Sequence, residues 1–201
     1  LNTMRAFQGL GIPITQTPTE LTVGGKGFWG LSEPSAPIDC GNSGTGIRLL
    51  TGLLAGQNFF SILTGDESIR RRPMGRVVKP LREMGAVIGG RKAGELAPLA
   101  ITGGGLRGIE YTSPVASAQI KSSLLLAGLF AHGQTRYKEP RLSRDHTERM
   151  FQFFGIPLAK EDGALVLHGR PSVGWRGVHV PIPGDFSAAA FFIVGATIVR
   201  G

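Results

Sequence analysis

The chain has 201 residues, of which 41% are hydrophobic, with 31 glycines, 13 prolines and a formal net charge of +8. Apolar stretches along the whole length exclude a disordered chain and predict one large or two small domains with many short elements. A single cysteine, Cys40, excludes an internal disulfide, and no run approaches the ~20 apolar residues of a membrane span, so we expect a cytoplasmic protein without a membrane partner.

The two ends of the chain resemble the interior of a longer protein. Leu1 is not an initiator methionine, and residues 1–11 have the pattern of a helix body. The segment 198–201 stops just after an apolar helical pattern. We therefore expect an internal fragment.

Internal repetition organises the chain. Residues 42–56 align with residues 114–128 at a shift of 72, and residues 106–109 align with residues 175–178 at a shift of 69. The pairs that each close a helical run at similar spacing are Leu10-Gly11, Met84-Gly85 and Phe154-Gly155. The pattern predicts three units of about 70 residues, the first incomplete.

The middle unit begins with an amphipathic helix. Val77, Leu81 and Met84 share one helical face. Pro80 lies inside that pattern, so the helix either kinks there or starts late. Strands are predicted at 87–88, 99–102 and 108–112.

An apolar helix follows in each unit. Residues 118–131 are apolar on nearly every face, which predicts a buried helix, and the equivalents are 46–55 and 187–197. The fold class is α/β or α+β with mixed sheets. A doubly wound fold is less natural, because no strand is followed by a Gly-rich turn of the dinucleotide-binding type.

Polar loops precede the three apolar helices, at 41–45, 113–117 and 183–187. Each offers Ser, Thr, Asn or Asp as a helix N-cap. If the repeat brings the three N-termini together, their free amides would form an anion site, and capping alone is the other interpretation. A nucleotide P-loop is excluded at 41–46, because the Lys-Ser/Thr pair is missing.

Other polar residues have both structural and functional interpretations. Four arginines lie within residues 70–76, where they form either a solvated loop or a phosphate or carboxylate site. Ser117 and Gln119 are a cap and its capping-box partner, or substrate ligands. His146 at a helix start is a surface residue or a general base. No spacing of His, Cys and carboxylates resembles a metal site.

Four motifs occur in order along the chain. They are Gly41-Asn-Ser-Gly-Thr-Gly-Ile-Arg48, Asp66-Glu-Ser-Ile-Arg-Arg-Arg-Pro-Met-Gly75, Ser117-Ala-Gln-Ile-Lys-Ser122 and Ser143-Arg-Asp-His-Thr-Glu148. Through them the chain resembles the EPSP synthases of the enolpyruvyl transferase family, from Leu1 to Gly201.

The resemblance implies an inside-out, barrel-like fold. Six βαβαββ units form two domains, three units in each, with buried central helices aimed at the cleft between them. Residues 1–201 would form most of one domain and run at their C-terminal end toward the second, which is missing.

The resemblance also implies a reaction. The enolpyruvyl group of phosphoenolpyruvate moves to the 5-hydroxyl of shikimate 3-phosphate through a tetrahedral intermediate, and phosphate is released. This step belongs to the shikimate pathway toward chorismate and aromatic amino acids. No cofactor or metal is implied, and we expect a monomer. The positive charge would steer the two anionic substrates.

Individual residues take roles from the matching motifs. Gly44 would line the phosphoenolpyruvate pocket, where glyphosate also binds, and Arg72 would hold the phosphate of phosphoenolpyruvate. Gln119 would contact both substrates. The residues implied for shikimate 3-phosphate are Ser117, Ala118 (through its backbone), Gln119 and Arg144.

The chain departs from the family pattern at both ends. A Lys-Ser pair and an Arg would lie before Leu1, and the proton-transferring Asp and Glu, with further Arg and Lys residues, would lie after Gly201. Asp185 is not expected to replace the missing acid. General acid–base groups must lie within hydrogen-bond reach of the reacting atoms. We therefore predict no catalytic residue here and a partial enzyme that is inactive alone.

Two alternatives remain. A transferase acting on UDP-N-acetylglucosamine would have no need of the shikimate-phosphate contacts in residues 117–119, and residues 72–75 also argue against it. A basic nucleic-acid-binding module would need aromatics interleaved with Lys and Arg, whereas Phe191 and Phe192 lie in an apolar run.

Overall fold

The structure is a computed structural model that describes residues 2–170, 184 and 186–198. Its helices are α1 Asn2–Gly9, α2 Gly44–Ala55, α3 Glu67–Arg71, α4 Gly75–Glu83, the single turn α5 Arg91–Gly94, α6 Ala118–Gly128, α7 His146–Phe153 and α8 Phe186–Ile198. Its strands are β1 Ile14–Gln16, β2 Leu21–Val23, β3 Ile38–Asp39, β4 Phe60–Thr64, β5 Val87–Gly90, β6 Leu96–Thr102, β7 Glu110–Thr112, β8 Gln134–Lys138, β9 Leu158–Glu161 and β10 Ala164–His168. The fold is mixed α/β, as predicted.

Two four-stranded sheets share one topology. Their strand orders are β3-β4-β6-β5 and β7-β8-β10-β9. In each sheet the first two strands are parallel and the other pairings are antiparallel. Each sheet thus belongs to a βαβαββ unit, and β3 and β7 begin about 72 residues apart. The helix α1 and the hairpin β1–β2 precede the first unit. Residues 175–178, which carry the repeat match of the third unit, lie outside the described residues.

Glycine follows α1 and also the outer helices α4 and α7 of the two βαβαββ units. Gly11, Gly85 and Gly155 follow α1, α4 and α7 with φ angles of +84°, +100° and +69°. Residues with a Cβ rarely adopt this conformation, so the predicted glycine stops are confirmed. Helix α4 begins at Gly75 and continues through Pro80, so the late start considered for this helix is wrong.

The helices α2 and α6 lie side by side in the core. Helix α2 packs on β4 and β6, and α6 packs on β8 and β10, so both are buried as predicted. A Cβ on Gly52 would lie 2.1 Å from the carbonyl oxygen of Ser123, so only glycine permits this approach. The hydroxyl of Ser123 donates to the carbonyl oxygen of Arg48 at 2.9 Å. The two helices are therefore held in one fixed register.

Helix α8 does not take the interior position predicted for it. Its Phe191 and Phe192 side chains are 83% and 82% exposed. A helix that is apolar all round is buried only where neighbours cover every face, and no described element packs extensively on this one. None of the described helices is both long and apolar enough to cross a membrane.

Candidate anion-binding site

Helix α2 begins with a capped turn that leaves two amides free. The hydroxyl of Ser43 accepts from the amide of Gly46 at 2.9 Å, which makes Ser43 the N-cap. The amides of Gly44 and Thr45 have no acceptor among the described residues. The capping interpretation is therefore correct for Ser43, and it leaves the first N–H groups of α2 available to an anion.

Helix α6 begins in the same way. Ser117 is its N-cap and accepts from the amide of Ile120 at 3.5 Å. The amides of Ala118 and Gln119 find no acceptor in the part of the chain that the structure describes. Residues 117–119 are partly exposed, so these groups can be reached from solvent.

Arg48 joins the two helix N-termini. Its side chain is buried, and its Nη1 donates to the carbonyl oxygen of Gly44 and to Oε1 of Gln119, both at 3.0 Å. Nε2 of Gln119 in turn donates to the hydroxyl of Thr45 at 2.9 Å. Gln119 therefore links α6 to α2 and is not a capping-box partner within its own helix.

A third segment carries Arg72 to the same place. The amide of Asp66 donates to the carbonyl oxygen of Gly41 at 2.9 Å, and Nη2 of Arg48 donates to the carbonyl oxygen of Pro73 at 2.9 Å. These two bonds anchor the segment at both of its ends. A Cβ on Gly44 would lie 2.7 Å from Nη1 of Arg72, so the guanidinium rests against the start of α2.

Asp66 shapes the turn before Arg72. Its carboxylate accepts from the amide of Ile69 at 3.0 Å and from the hydroxyl of Ser68 at 2.8 Å, and it caps α3. These hydrogen bonds, that of Ile69 foremost, lower the pKa of Asp66. The carboxylate is thus used structurally and faces its own helix.

Positive charge is concentrated around Arg48. Burial, and then the charges of Arg76 and Arg72, lower its pKa to about 10. By contrast, Arg71 forms an exposed ion pair with Glu67 on the same helix. The arginine run is therefore divided, because Arg72 lies against the start of α2 whereas Arg71 faces solvent. Such a cluster favours a bound anion, which relieves the mutual repulsion.

The remaining candidates lie elsewhere. Arg144 is exposed and makes no hydrogen bond or ion pair with any described residue. His146 is the exposed first residue of α7. The third polar loop, with Asp185, lies largely outside the described residues. No group of three or more His, Cys, Asp or Glu side chains within 2–170 and 186–198 is placed to hold a metal ion.

The structure thus brings together Gly44, Arg72, Ser117, Ala118 and Gln119, and adds Arg48. Arg48 ends one of the matching motifs, but the resemblance assigns it no contact with a substrate. The signal that marks it is a single charged residue in a helix that is mostly apolar, because a buried charge needs partners.

Comparisons with known proteins find similar sequences and a similar fold. The chain matches the model of EPSP synthase (3-phosphoshikimate 1-carboxyvinyltransferase) over residues 1–201. Proteins named 3-phosphoshikimate 1-carboxyvinyltransferase from Geobacter metallireducens and Geobacillus kaustophilus are 55% and 56% identical to it over 199 residues, which is 99% of this chain. The chain spans only 46% of the length of each. A solved structure of EPSP synthase from Acinetobacter baumannii superposes with a TM-score of 0.88 at 46% identity, over 100% of this chain and 45% of that one.

Proposed function

The chain belongs to the EPSP synthase family, and we propose that it supplies one wall of a site that binds phosphoenolpyruvate and shikimate 3-phosphate. The activity we assign to the complete protein is transfer of the enolpyruvyl group to the 5-hydroxyl of shikimate 3-phosphate, with release of phosphate. Both substrates carry a phosphate and a carboxylate, so the site must hold several negative charges.

The observation that carries this proposal is the junction of α2, α6 and the Arg72 segment at Arg48. Four amides without an acceptor among the described residues, the guanidiniums of Arg48 and Arg72 and the side-chain amide of Gln119 meet there. Helix N-termini and arginine forks are the groups that bind phosphate and carboxylate in proteins. The hydrogen bonds of Arg48 and Gln119 hold the two helix N-termini together, so these N-termini need little reorganisation when a substrate arrives.

We assign roles by position within the junction. Gly44 and Arg72 would face the phosphate of phosphoenolpyruvate, and Ser117 and Ala118 would face the phosphate of shikimate 3-phosphate. Gln119, which already bridges the two helices, would contact both substrates. Arg144 would add to the shikimate-phosphate side.

These residues bind and orient, and the proton transfers would come from groups outside this set. Holding the two substrates side by side makes attack of the 5-hydroxyl effectively unimolecular, which is a large part of any such rate enhancement. That the complete protein acts as a cytoplasmic monomer, and that its phosphoenolpyruvate pocket admits glyphosate, remain part of the proposal.

A chimera tests the proposal by turnover. This chain replaces the matching 199-residue segment of the Geobacter metallireducens relative, and phosphate release is followed with both substrates. We expect activity that Arg72→Ala and Gln119→Ala each reduce by about a hundredfold or more. Arg71→Ala is the matched control, because it removes a neighbouring arginine that is paired with Glu67 on the exposed face. A folded chimera without turnover, or equal losses from Arg71→Ala and Arg72→Ala, would refute the proposal.

A further inference from the structure

A buried ion cluster lies one turn beyond the N-cap of α6. The side chain of Lys121 is 1% exposed, and its Nζ lies 3.1 Å from Oε1 of Glu139 and 2.6 Å from Oε1 of Glu148. The Glu139 and Glu148 side chains are 8% and 18% exposed. Lys121 is the one charged residue of α6, and its ion pairs with described residues are those with these two carboxylates.

Glu139 also closes the loop that carries Arg144. Its Oε1 accepts from the amide of Ser143 at 2.8 Å, and its Oε2 accepts from the Ser143 hydroxyl at 2.8 Å. Burial raises the pKa of Glu139, but the bonds from Ser143 and Lys121 outweigh it and hold the pKa below its usual value. The carboxylate therefore stays charged while it grips both the helix and the loop.

A second contact fixes the same loop from its other end. The hydroxyls of Ser122 on α6 and Thr147 on α7 lie 2.5 Å apart. Glu148, the next residue of α7, reaches Lys121. The segment 139–148 is therefore bound along the first two turns of α6, directly after residues 117–119.

We propose that Lys121 and Glu139 are positioning residues that hold the Ser143–Arg144 loop beside the N-terminus of α6 and so set the shikimate-phosphate side of the site. The proposal rests on the proposed function. Buried ion pairs seldom add net stability over apolar side chains of similar volume, so stability alone is a weak reason to place a buried ammonium between two partly buried carboxylates. A stronger reason is that the cluster fixes the Ser143–Arg144 loop, whose geometry would decide the affinity for the ligand.

The first test measures the loop without any ligand. In the 201-residue chain, amide hydrogen exchange of Ser143 is compared between the parent, Glu139→Gln and Glu148→Gln. Both variants neutralise one carboxylate of the same ammonium, but only Glu139 is bonded to Ser143. We expect Glu139→Gln to speed exchange at Ser143 by about tenfold, since a neutral acceptor is weaker than a charged one, and Glu148→Gln to leave it unchanged. Equal exchange in all three chains would overturn the proposal.

The second test measures the consequence for substrate. In the chimera, Glu139→Gln is expected to raise KM for shikimate 3-phosphate by about tenfold, with KM for phosphoenolpyruvate and kcat within about twofold. If Glu139→Gln changes kcat and both KM values by similar factors, the cluster serves general stability and the positioning role is refuted. The same conclusion follows if the Glu139→Gln chain fails to fold while the Glu148→Gln chain folds. An inactive parent chimera would refute the proposed function and the positioning role together. An active parent chimera whose kinetics do not change with Glu139→Gln would refute the positioning role alone.

Discussion

Replacing Gly44 by alanine displaces Arg72 with little effect on folding. The added Cβ would lie 2.7 Å from Nη1 of Arg72 and 3.1 Å from Nη1 of Arg48, whereas ordinary contact begins at 3.4 Å. Because the guanidinium is the far end of a long, exposed side chain, it can retreat by about 0.7 Å at small cost in stability. A misplacement of about 1 Å in a binding group can cost about a hundredfold. We therefore expect KM for phosphoenolpyruvate to rise between about tenfold and a hundredfold.

The assay separates the two substrates and the fold. Steady-state kinetics of the Gly44→Ala chimera give both KM values, and thermal unfolding of the 201-residue variant gives stability. Gly9→Ala is the control, because a Cβ there meets nothing within 4 Å. Unchanged KM for phosphoenolpyruvate, or a loss that follows the unfolding temperature, would refute the reasoning that Arg72 is the displaced group.

Three further predictions concern the whole chain. Gly52→Ala forces a clash with the Ser123 carbonyl oxygen, and this clash outweighs the better helix propensity of alanine. Chemical denaturation should therefore show that the free energy of unfolding falls by about 2 kcal/mol. An unchanged denaturation midpoint would contradict the close packing of α2 on α6. Inorganic phosphate at ten times its Kd should stabilise the chain by roughly 1.4 kcal/mol, and equal stabilisation of Arg72→Ala would show that the ion binds elsewhere. Burial raises the pKa of Cys40 and of Tyr137 to about 12, so both stay protonated in the folded chain at pH values where the unfolded chain loses the thiol proton (about pH 9) and the phenol proton (about pH 10). Stability is therefore full below pH 9 and falls toward pH 12, with a shallower fall expected for Cys40→Ala and Tyr137→Phe in pH-dependent denaturation.

Local features of the fold could be predicted from the sequence because they depend on local chemistry. Glycine stops at Gly11, Gly85 and Gly155 follow from backbone sterics. The apolar helices α2 and α6 and the strands of the middle unit follow from periodicity. The repeat then locates equivalent loops before α2 and α6, although it does not show whether the two N-termini lie together.

Contacts between distant residues could not be predicted in the same way. The bond between Arg48 and Gln119 spans 71 residues, and no pattern near either residue reveals it. Lys121 is similar, since its charge in an apolar helix signals a buried partner without identifying Glu139 or Glu148. Helix α8 shows the opposite error, because an apolar sequence predicts burial but does not supply the neighbours that cover it.

The central claim is that two helix N-termini and Arg72 form one anion site, and a titration of the 201-residue chain tests it most directly. Shikimate 3-phosphate is added while amide NMR signals are followed, with Arg72→Ala and Arg71→Ala chains alongside. The account predicts chemical-shift changes at the amides of Gly44, Thr45, Ala118 and Gln119. These changes should saturate with a Kd of about 1 mM, which corresponds to about 4 kcal/mol of binding free energy. Binding should weaken in the Arg72→Ala chain and stay unchanged in the Arg71→Ala chain. A folded chain whose shifts are absent at these amides, or fall elsewhere, would contradict it.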